Sequence, residues 1–292
     1  MKSYDSPLRY PGGKSKLLGY IENVISCNHL AGCDFYEPFA GGAAITIGLL
    51  QKGTITSSTI IERDPLVFAF WYAVFFRTDE LVDRIDETPI TIDTWDKIKK
   101  YKSYDLPSES EISDMGFAGL FLNRTNFSGV LNAGPIGGHN QTGKYKIDCR
   151  FNKSRLIETI RFLALYKDRV TVSFSDGIIY LQNAQYRLLG RPSFVYVDPP
   201  YYNKGSRLYR HYFSNTEHVN LSNVLRNAQY PWLLSYDNCS FINELYQNQN
   251  NDLKRKFLYF DYSCNNVKKE TELLISNLEI PPVEQFGLLS VV

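Results

Sequence analysis

The chain has 292 residues, 43% of them hydrophobic and 22% charged, with a formal net charge of +1. That composition is globular and large enough for a sizeable core, which excludes a chain disordered by composition, and it carries no global basic signature. Five cysteines without a C-x-x-C pair and four histidines without a ligand cluster predict a reducing, cytoplasmic setting and no structural metal, and neither a signal peptide nor an apolar run near the ~20 residues of a membrane span is read.

In chain order, the first informative stretch is Leu8-Arg9-Tyr10-Pro11-Gly12-Gly13-Lys14-Ser15. Its Gly-Lys-Ser end suggests a phosphate-binding loop, but Leu8 stands where such a loop begins with glycine, and the polar residues 1–7 are too few for the strand that should feed it. Leu17, Leu18, Ile21, Val24 and Ile25 recur at helical spacing, so the glycines open into an amphipathic helix. Asp34 to Glu37 reads as a strand, Pro38 to Gly42 as a glycine turn, and Ala43 to Lys52 as a helix stopped by Gly53. Ser58 to Ile61 adds a strand ending in Glu62 and completes a βαβ unit.

From about Asp79 to Arg161 the rhythm becomes helical and loop-like, with a glycine-rich patch from Gly129 to Gly143, and reads as an insertion. Eleven acids face five bases between Asp79 and Asp114, whereas eight bases face three acids between Lys144 and Arg169. The basic stretch suits a surface that meets a polyanion on one side; a solvated helix face is the alternative. Strands resume at Val170–Phe174, Ser193–Val197, Trp232–Ser235, Phe257–Asp261 and Glu272–Ser276, the last two as a hairpin, with Gln247 to Asn251 as a surface loop. Seven strands with interspersed helices predict an α/β fold: a mostly parallel, Rossmann-like sheet, helices on both faces, and ligands at the carboxyl ends of the strands.

Two strand ends carry chemistry. In Glu37-Pro38-Phe39-Ala40-Gly41-Gly42 glycine allows a ligand near the backbone, and Glu62 on the neighbouring strand can accept both hydroxyls of a ribose, with Asp64 as a rival. In Phe194-Val195-Tyr196-Val197-Asp198-Pro199-Pro200-Tyr201 an apolar strand delivers an aspartate into a turn that two prolines stiffen. Such a turn can aim a carboxylate and a carbonyl at one amino group, or it can simply end the strand.

With these motifs in this order the sequence resembles the Dam-type DNA adenine methyltransferases. The resemblance rests on Arg-Tyr-Pro-Gly-Gly-Lys at 9–14, Glu-Pro-Phe-Ala-Gly-Gly at 37–42 and Asp-Pro-Pro-Tyr at 198–201. It extends to Leu122-Asn123-Arg124, Ser235-Tyr236-Asp237 and Glu272-Leu273-Leu274, and so spans almost the whole chain. It implies a seven-stranded methyltransferase sheet, with catalytic parts at 1–78 and 166–292 around a target-recognition insertion at 79–165, mainly helical and containing a hairpin.

The resemblance further implies S-adenosyl-L-methionine as methyl donor and a flipped adenine in double-stranded DNA as acceptor. Tyr10, Lys14, Glu37, Pro38, Gly41, Glu62, Asp176 and Asp198 would contact the cofactor, with Lys14 suited to the methionine carboxylate and Asp176 near the cofactor adenine. Asp198, Pro199, Pro200 and Tyr201 would be catalytic. Arg9, Arg124, Phe127, Asn132, Lys146 and Arg150 would meet DNA, Phe127 as a wedge or else as a core residue, Lys146 and Arg150 on guanine or on phosphates. Asn132 stands where GATC-methylating members carry a base-reading arginine, so a different target is expected. No membrane or metal partner is implied; a cognate restriction endonuclease would be a functional partner, and the chain a monomer or weak dimer. The alternatives are an amino-methyltransferase of cytosine, RNA or another substrate, and a catalytically silent DNA-binding relic.

Overall fold

The computed structural model describes residues 5–10, 14–105, 108–203, 205, 210–247, 253–261, 269–282 and 289–290. Pro11, Gly12, Gly13 and most of the Gln247–Asn251 loop lie outside them.

The strands are β1 (Asp34–Pro38), β2 (Ser57–Glu62), β3 (Val170–Phe174), β4 (Ser193–Val197), β5 (Trp232–Asp237), β6 (Lys254–Asp261), β7 (Lys269–Ser276) and β8 (Leu289–Ser290). They form one sheet in the order β3-β2-β1-β4-β5-β7-β6-β8. The first five are parallel, while β7 runs antiparallel to both β5 and β6. All seven expected strands form, and the final pair is the expected antiparallel one. The two-residue β8 on β6 is additional, too short to leave a periodic signal.

Period-two alternation divides the core. Phe194, Tyr196, Leu233 and Leu274 pack with α1 (Leu18–Cys27), α2 (Ala44–Lys52) and α3 (Pro65–Phe76). Val195, Val197, Leu234, Leu273 and Ile275 pack on the other face with α8 (Gly177–Leu189), α9 (Asn215–Arg226) and α10 (Ser240–Leu245). Strand β4 is buried at all five positions, as a central parallel strand must be. No helix among the described residues is long and apolar enough to cross a membrane.

Helix α3 is apolar all round because two layers cover it: the sheet beneath and α6 (Ile112–Thr125) above. A Cβ on Gly116 or Gly119 of α6 would lie 2.7 or 2.5 Å from the carbonyl oxygen of Ala69 or Leu66, so only glycine permits this approach. On α6 pack α4 (Thr78–Glu87) and α5 (Ile92–Ile98), and α7 (Lys153–Ala164) packs on α3 and α4. Among the described residues the hairpin expected in the insertion does not form a ladder. A single antiparallel bridge, Asn126 with Pro135, stands in its place, because Pro135 and the positive-φ glycines Gly137 and Gly138 interrupt any longer ladder.

The order of the strands locates the site. β1 lies between β2 and β4, so successive connections leave it in opposite directions and open a crevice beyond the carboxyl ends of these strands. Glu37, Glu62 and Asp198 stand at those three ends.

Candidate active site

A cavity at the switch point is lined by Tyr10, Lys14, Glu37, Glu62, Asp198 and Pro200, together with Phe39, Arg63, Arg210 and His211. Six of the expected residues therefore converge from positions as far apart as 10 and 200. The Tyr10 ring covers the glycine turn: a Cβ on Gly41 would fall 2.4 Å from it, and Gly41 has φ +46°. Glycine is needed twice over there, for the backbone and for the ring.

The two glutamates are built into the turn. Glu62 accepts the N–H groups of Gly41 (3.0 Å), Arg63 (2.8 Å) and Asp64 (2.8 Å). Burial dominates those bonds and raises its carboxyl to about 7. Glu37 accepts the N–H and hydroxyl of Thr46 at 3.2 and 2.5 Å, and burial raises it to about 8. Asp64, the rival for the ribose, caps α3 through Leu66 N–H (2.9 Å) and pairs with Arg210 at 3.3 Å. Its first oxygen is committed to structure. Pro38 ends β1 beneath the turn and, like Gly41, is not among the lining residues.

Asp176 does not reach the cavity lining. It caps α8 through Ile178 N–H (2.8 Å) and Ile179 N–H (3.2 Å), and its other oxygen holds Arg63 at 3.0 Å. Arg63 also binds Glu217 (3.0 Å) and the His211 carbonyl (2.9 Å), so the segment after the Asp-Pro-Pro-Tyr turn is clasped over the cavity.

Lys14, which lines the cavity as expected, is also held by side chains of the protein. Its ammonium lies 2.9 and 3.0 Å from the two oxygens of Asp198, donates to the Tyr201 hydroxyl at 2.6 Å and stands 3.1 Å from Glu272. It points at the Asp-Pro-Pro-Tyr turn, with Lys14 and Glu272 both buried. Ser235 donates to Asp198 at 3.0 Å and is itself paired with Tyr196 at 2.9 Å; Tyr201 donates to Glu272. On β5, Asp237 accepts the N–H groups of Tyr202 and Asn203, each at 2.9 Å, and so fixes the backbone beyond Pro199 and Pro200. Ser235, Asp237 and Glu272 belong to stretches that the resemblance included, yet nothing in their local sequence assigns them these contacts. Arg63 and Arg210 left no sequence signal.

Of the residues expected to meet DNA, Arg9, Arg124 and Arg150 are near enough to act on one another's charge. Arg9 donates its N–H to Asn123 (2.7 Å), and its Nη1 is buried without a hydrogen-bond partner among the described residues. Arg124 donates to the Pro7 carbonyl at 2.6 Å; burial, then the charges of Arg9 and Arg150, lower it to about 10. Three guanidiniums thus share one neighbourhood. Phe127 is 70% exposed, which removes the core reading. Asn132 and Arg150 are exposed, as is Lys146, which donates to the Gln141 carbonyl. Among the described residues no group of three His, Cys, Asp or Glu side chains could hold a metal ion.

Comparison with known proteins accords with this geometry. The chain is 26% identical to the type II methyltransferase M.CviBI of Paramecium bursaria Chlorella virus NC1A, over 92% of this chain and 98% of that protein. It is 25% identical, with the same coverage, to the type II methyltransferase M.MjaIII of Methanocaldococcus jannaschii. A solved structure from Legionella pneumophila str. Philadelphia 1 aligns over 95% of this chain and 90% of its own at 12% identity and a TM-score of 0.32, too slight a likeness to bear on the fold. Residues 10–259, which contain the glycine turn, the Asp-Pro-Pro-Tyr turn and everything between, match the family model of the D12 class N6 adenine-specific DNA methyltransferases, and the chain belongs to that family.

Proposed function

We propose that the enzyme takes its methyl group from S-adenosyl-L-methionine bound in the switch-point cavity and transfers it to the amino nitrogen of an adenine flipped out of duplex DNA. The observation that carries this reading is the convergence of Tyr10, Lys14, Glu37, Glu62 and Asp198 on one cavity at the strand ends. Its wall is polar, with Glu37, Glu62, Asp64 and Asp198 set among Lys14, Arg63 and Arg210. Glu62 has one lone pair on Oε2 beyond those its three backbone bonds use, and that oxygen serves a ribose hydroxyl. Tyr10 covers the cofactor from the Gly41 side.

The bound cofactor supplies an electrophilic methyl carbon on a sulfonium. The protein must activate the acceptor, because the adenine amino lone pair is delocalised into the ring. Asp198 and the Pro199 carbonyl accept the two amino hydrogens, draw the nitrogen toward tetrahedral geometry and aim its lone pair at the methyl group. Tyr201 faces the base. Flipping costs about a few kcal/mol of unstacking, which Phe127 offsets by filling the vacated stack.

Residues 79–165 serve as the target-recognition part between catalytic parts at 1–78 and 166–292. Arg124 and Arg150 within it, with Arg9 beside it, hold backbone phosphate, and Asn132 and Lys146 face base edges. Kinship with two type II methyltransferases supports a modification role beside a cognate restriction endonuclease.

Incubation with duplex DNA and methyl-labelled cofactor, followed by mass spectrometry of the nucleosides, should yield labelled N6-methyladenine. Label on cytosine, or none on DNA, refutes the proposal. Single-molecule sequencing of DNA from a methylation-free host expressing the protein would then give the target sequence.

A further inference from the structure

Glu272 has no assigned part in this reaction, yet it lies at the end of a continuous hydrogen-bonded chain that starts at Asp198. Asp198 Oδ2 accepts from Lys14 Nζ at 3.0 Å, Lys14 donates to the Tyr201 hydroxyl at 2.6 Å, and that hydroxyl donates to Glu272 Oε1. Glu272 is 3% exposed, and its Oε2 is buried without a hydrogen-bond partner among the described residues. One cation, Lys14, serves two carboxylates. Asp198 alone would neutralise it, so the second acid is surplus to the ion pair, and an ionised Glu272 leaves a desolvated acceptor unmet.

We propose that Glu272 stores the proton released by methyl transfer, receiving it from Asp198 by way of Lys14 and Tyr201. The inference rests on the role given to Asp198 above. As the nitrogen–carbon bond forms, the carbon–sulfur bond breaks and its electron pair stays on sulfur, leaving the adenine nitrogen cationic. That nitrogen loses one proton to Asp198. Asp198 passes a proton to Lys14 as Lys14 passes one to the Tyr201 oxygen and Tyr201 gives its hydroxyl proton to Glu272. The end state is an Asp198 carboxylate, a Lys14 ammonium, a Tyr201 phenol and a Glu272 carboxylic acid, with one proton moved and no other charge changed. Asp198 is thereby restored before the product leaves. Glu272 is a positioning residue in this scheme, since it acts through Lys14 and Tyr201 and does not touch the base.

The surroundings of Glu272 favour the protonated form. Burial raises its carboxyl above the usual range; the Lys14 charge opposes that and the Asp198 charge reinforces it. The Tyr196 phenol is near on β4. Asp237, its register partner on β5, is occupied by two backbone N–H groups, and its partner on β6 is the apolar Leu258.

The test is the pH dependence of single-turnover methyl transfer on duplex DNA. The wild-type rate should fall with an acid limb above the ordinary carboxylate range, because Glu272 must begin ionised. Glu272→Gln should slow transfer by about 10-fold or more and abolish that limb, whereas Tyr201→Phe, which keeps the ring and leaves only the direct 3.1 Å contact of Lys14 with Glu272, should slow transfer and retain the limb. Labelled-cofactor affinity should stay within about twofold. A wild-type limb at ordinary carboxylate pH overturns the proposal, as does either variant, folded and cofactor-binding, that keeps the wild-type rate and limb. Should Glu272→Gln fail to fold, Tyr201→Phe and the wild-type profile carry the test. Asp198→Ala separates the two readings: surviving methylation there refutes the role of Asp198 itself, whereas its loss beside a normal Glu272→Gln refutes only the proton store.

Discussion

The Lys14 ammonium and the Asp198 carboxylate meet at 3.0 Å although 184 positions separate them in sequence. The contact ties the segment that precedes α1 to the turn that ends β4, and it puts a buried cation against the aspartate of the Asp-Pro-Pro-Tyr motif.

Replacing Lys14 by Met would leave Asp198 and Glu272 facing one another without a counter-ion. Breaking a buried pair in this way costs about 3 kcal/mol or more. Denaturant unfolding at pH 8 should register that loss, with cofactor binding weakened in parallel. Because the carboxylates left behind are relieved by protonation, the deficit should shrink as pH is lowered toward 5. A deficit that does not change with pH would contradict the charge argument.

Glu37 and Glu62 give the folded protein its own pH dependence. Their carboxyls stand at about 8 and about 7 in the folded chain against an ordinary value of 4.5. Between those values the folded state binds protons that the unfolded state does not, so their contribution is fully present below about 4.5 and is lost as pH rises through 7 and 8. The Tm should therefore fall from pH 5 to pH 8, and Glu37→Gln should flatten that decline. Measurement by calorimetry across the range checks both.

Phe127→Ala should leave the stability nearly unchanged, within about 0.5 kcal/mol, since the residue is 70% exposed. Methylation should suffer instead. A fluorescent adenine analogue at the target position should report slower or less complete flipping, whereas a large loss of stability would return Phe127 to the core.

Arg150→Ala should weaken DNA binding about equally for cognate and non-cognate duplexes and lower the slope of log K against log salt by about 1, as expected for one lost phosphate contact. A loss confined to the cognate sequence would make Arg150 a reader of bases.

How much was legible beforehand differs element by element. The strands expected from Asp34, Ser58, Val170, Ser193, Trp232, Phe257 and Glu272 followed from apolar runs closed by turn residues, the last two beginning three residues earlier in the structure, at Lys254 and Lys269, and Glu37, Glu62 and Asp198 were readable as acids at strand ends. Asp176 was expected near the cofactor; it caps α8 and holds Arg63, a contact made with a residue 113 positions away. Lys14 was matched to a carboxylate, though the partners it meets are Asp198 and Glu272 of the protein itself. The hairpin expected in the insertion became one bridge among the described residues, because turn residues signal a reversal without fixing a ladder on either side.

The sequence by itself determined the α/β class, the motif order and the chemistry of the strand ends, since those depend on local patterns of burial and turn formation. The tertiary structure alone decided which acids share a cation, which aspartate is spent on a helix cap, and that Phe127 faces solvent. Such pairings form when the sheet brings β4, β5 and β7 alongside one another and Lys14 reaches the end of β4. They are long-range contacts between charged groups, and no local periodicity encodes which of several carboxylates a buried ammonium will meet.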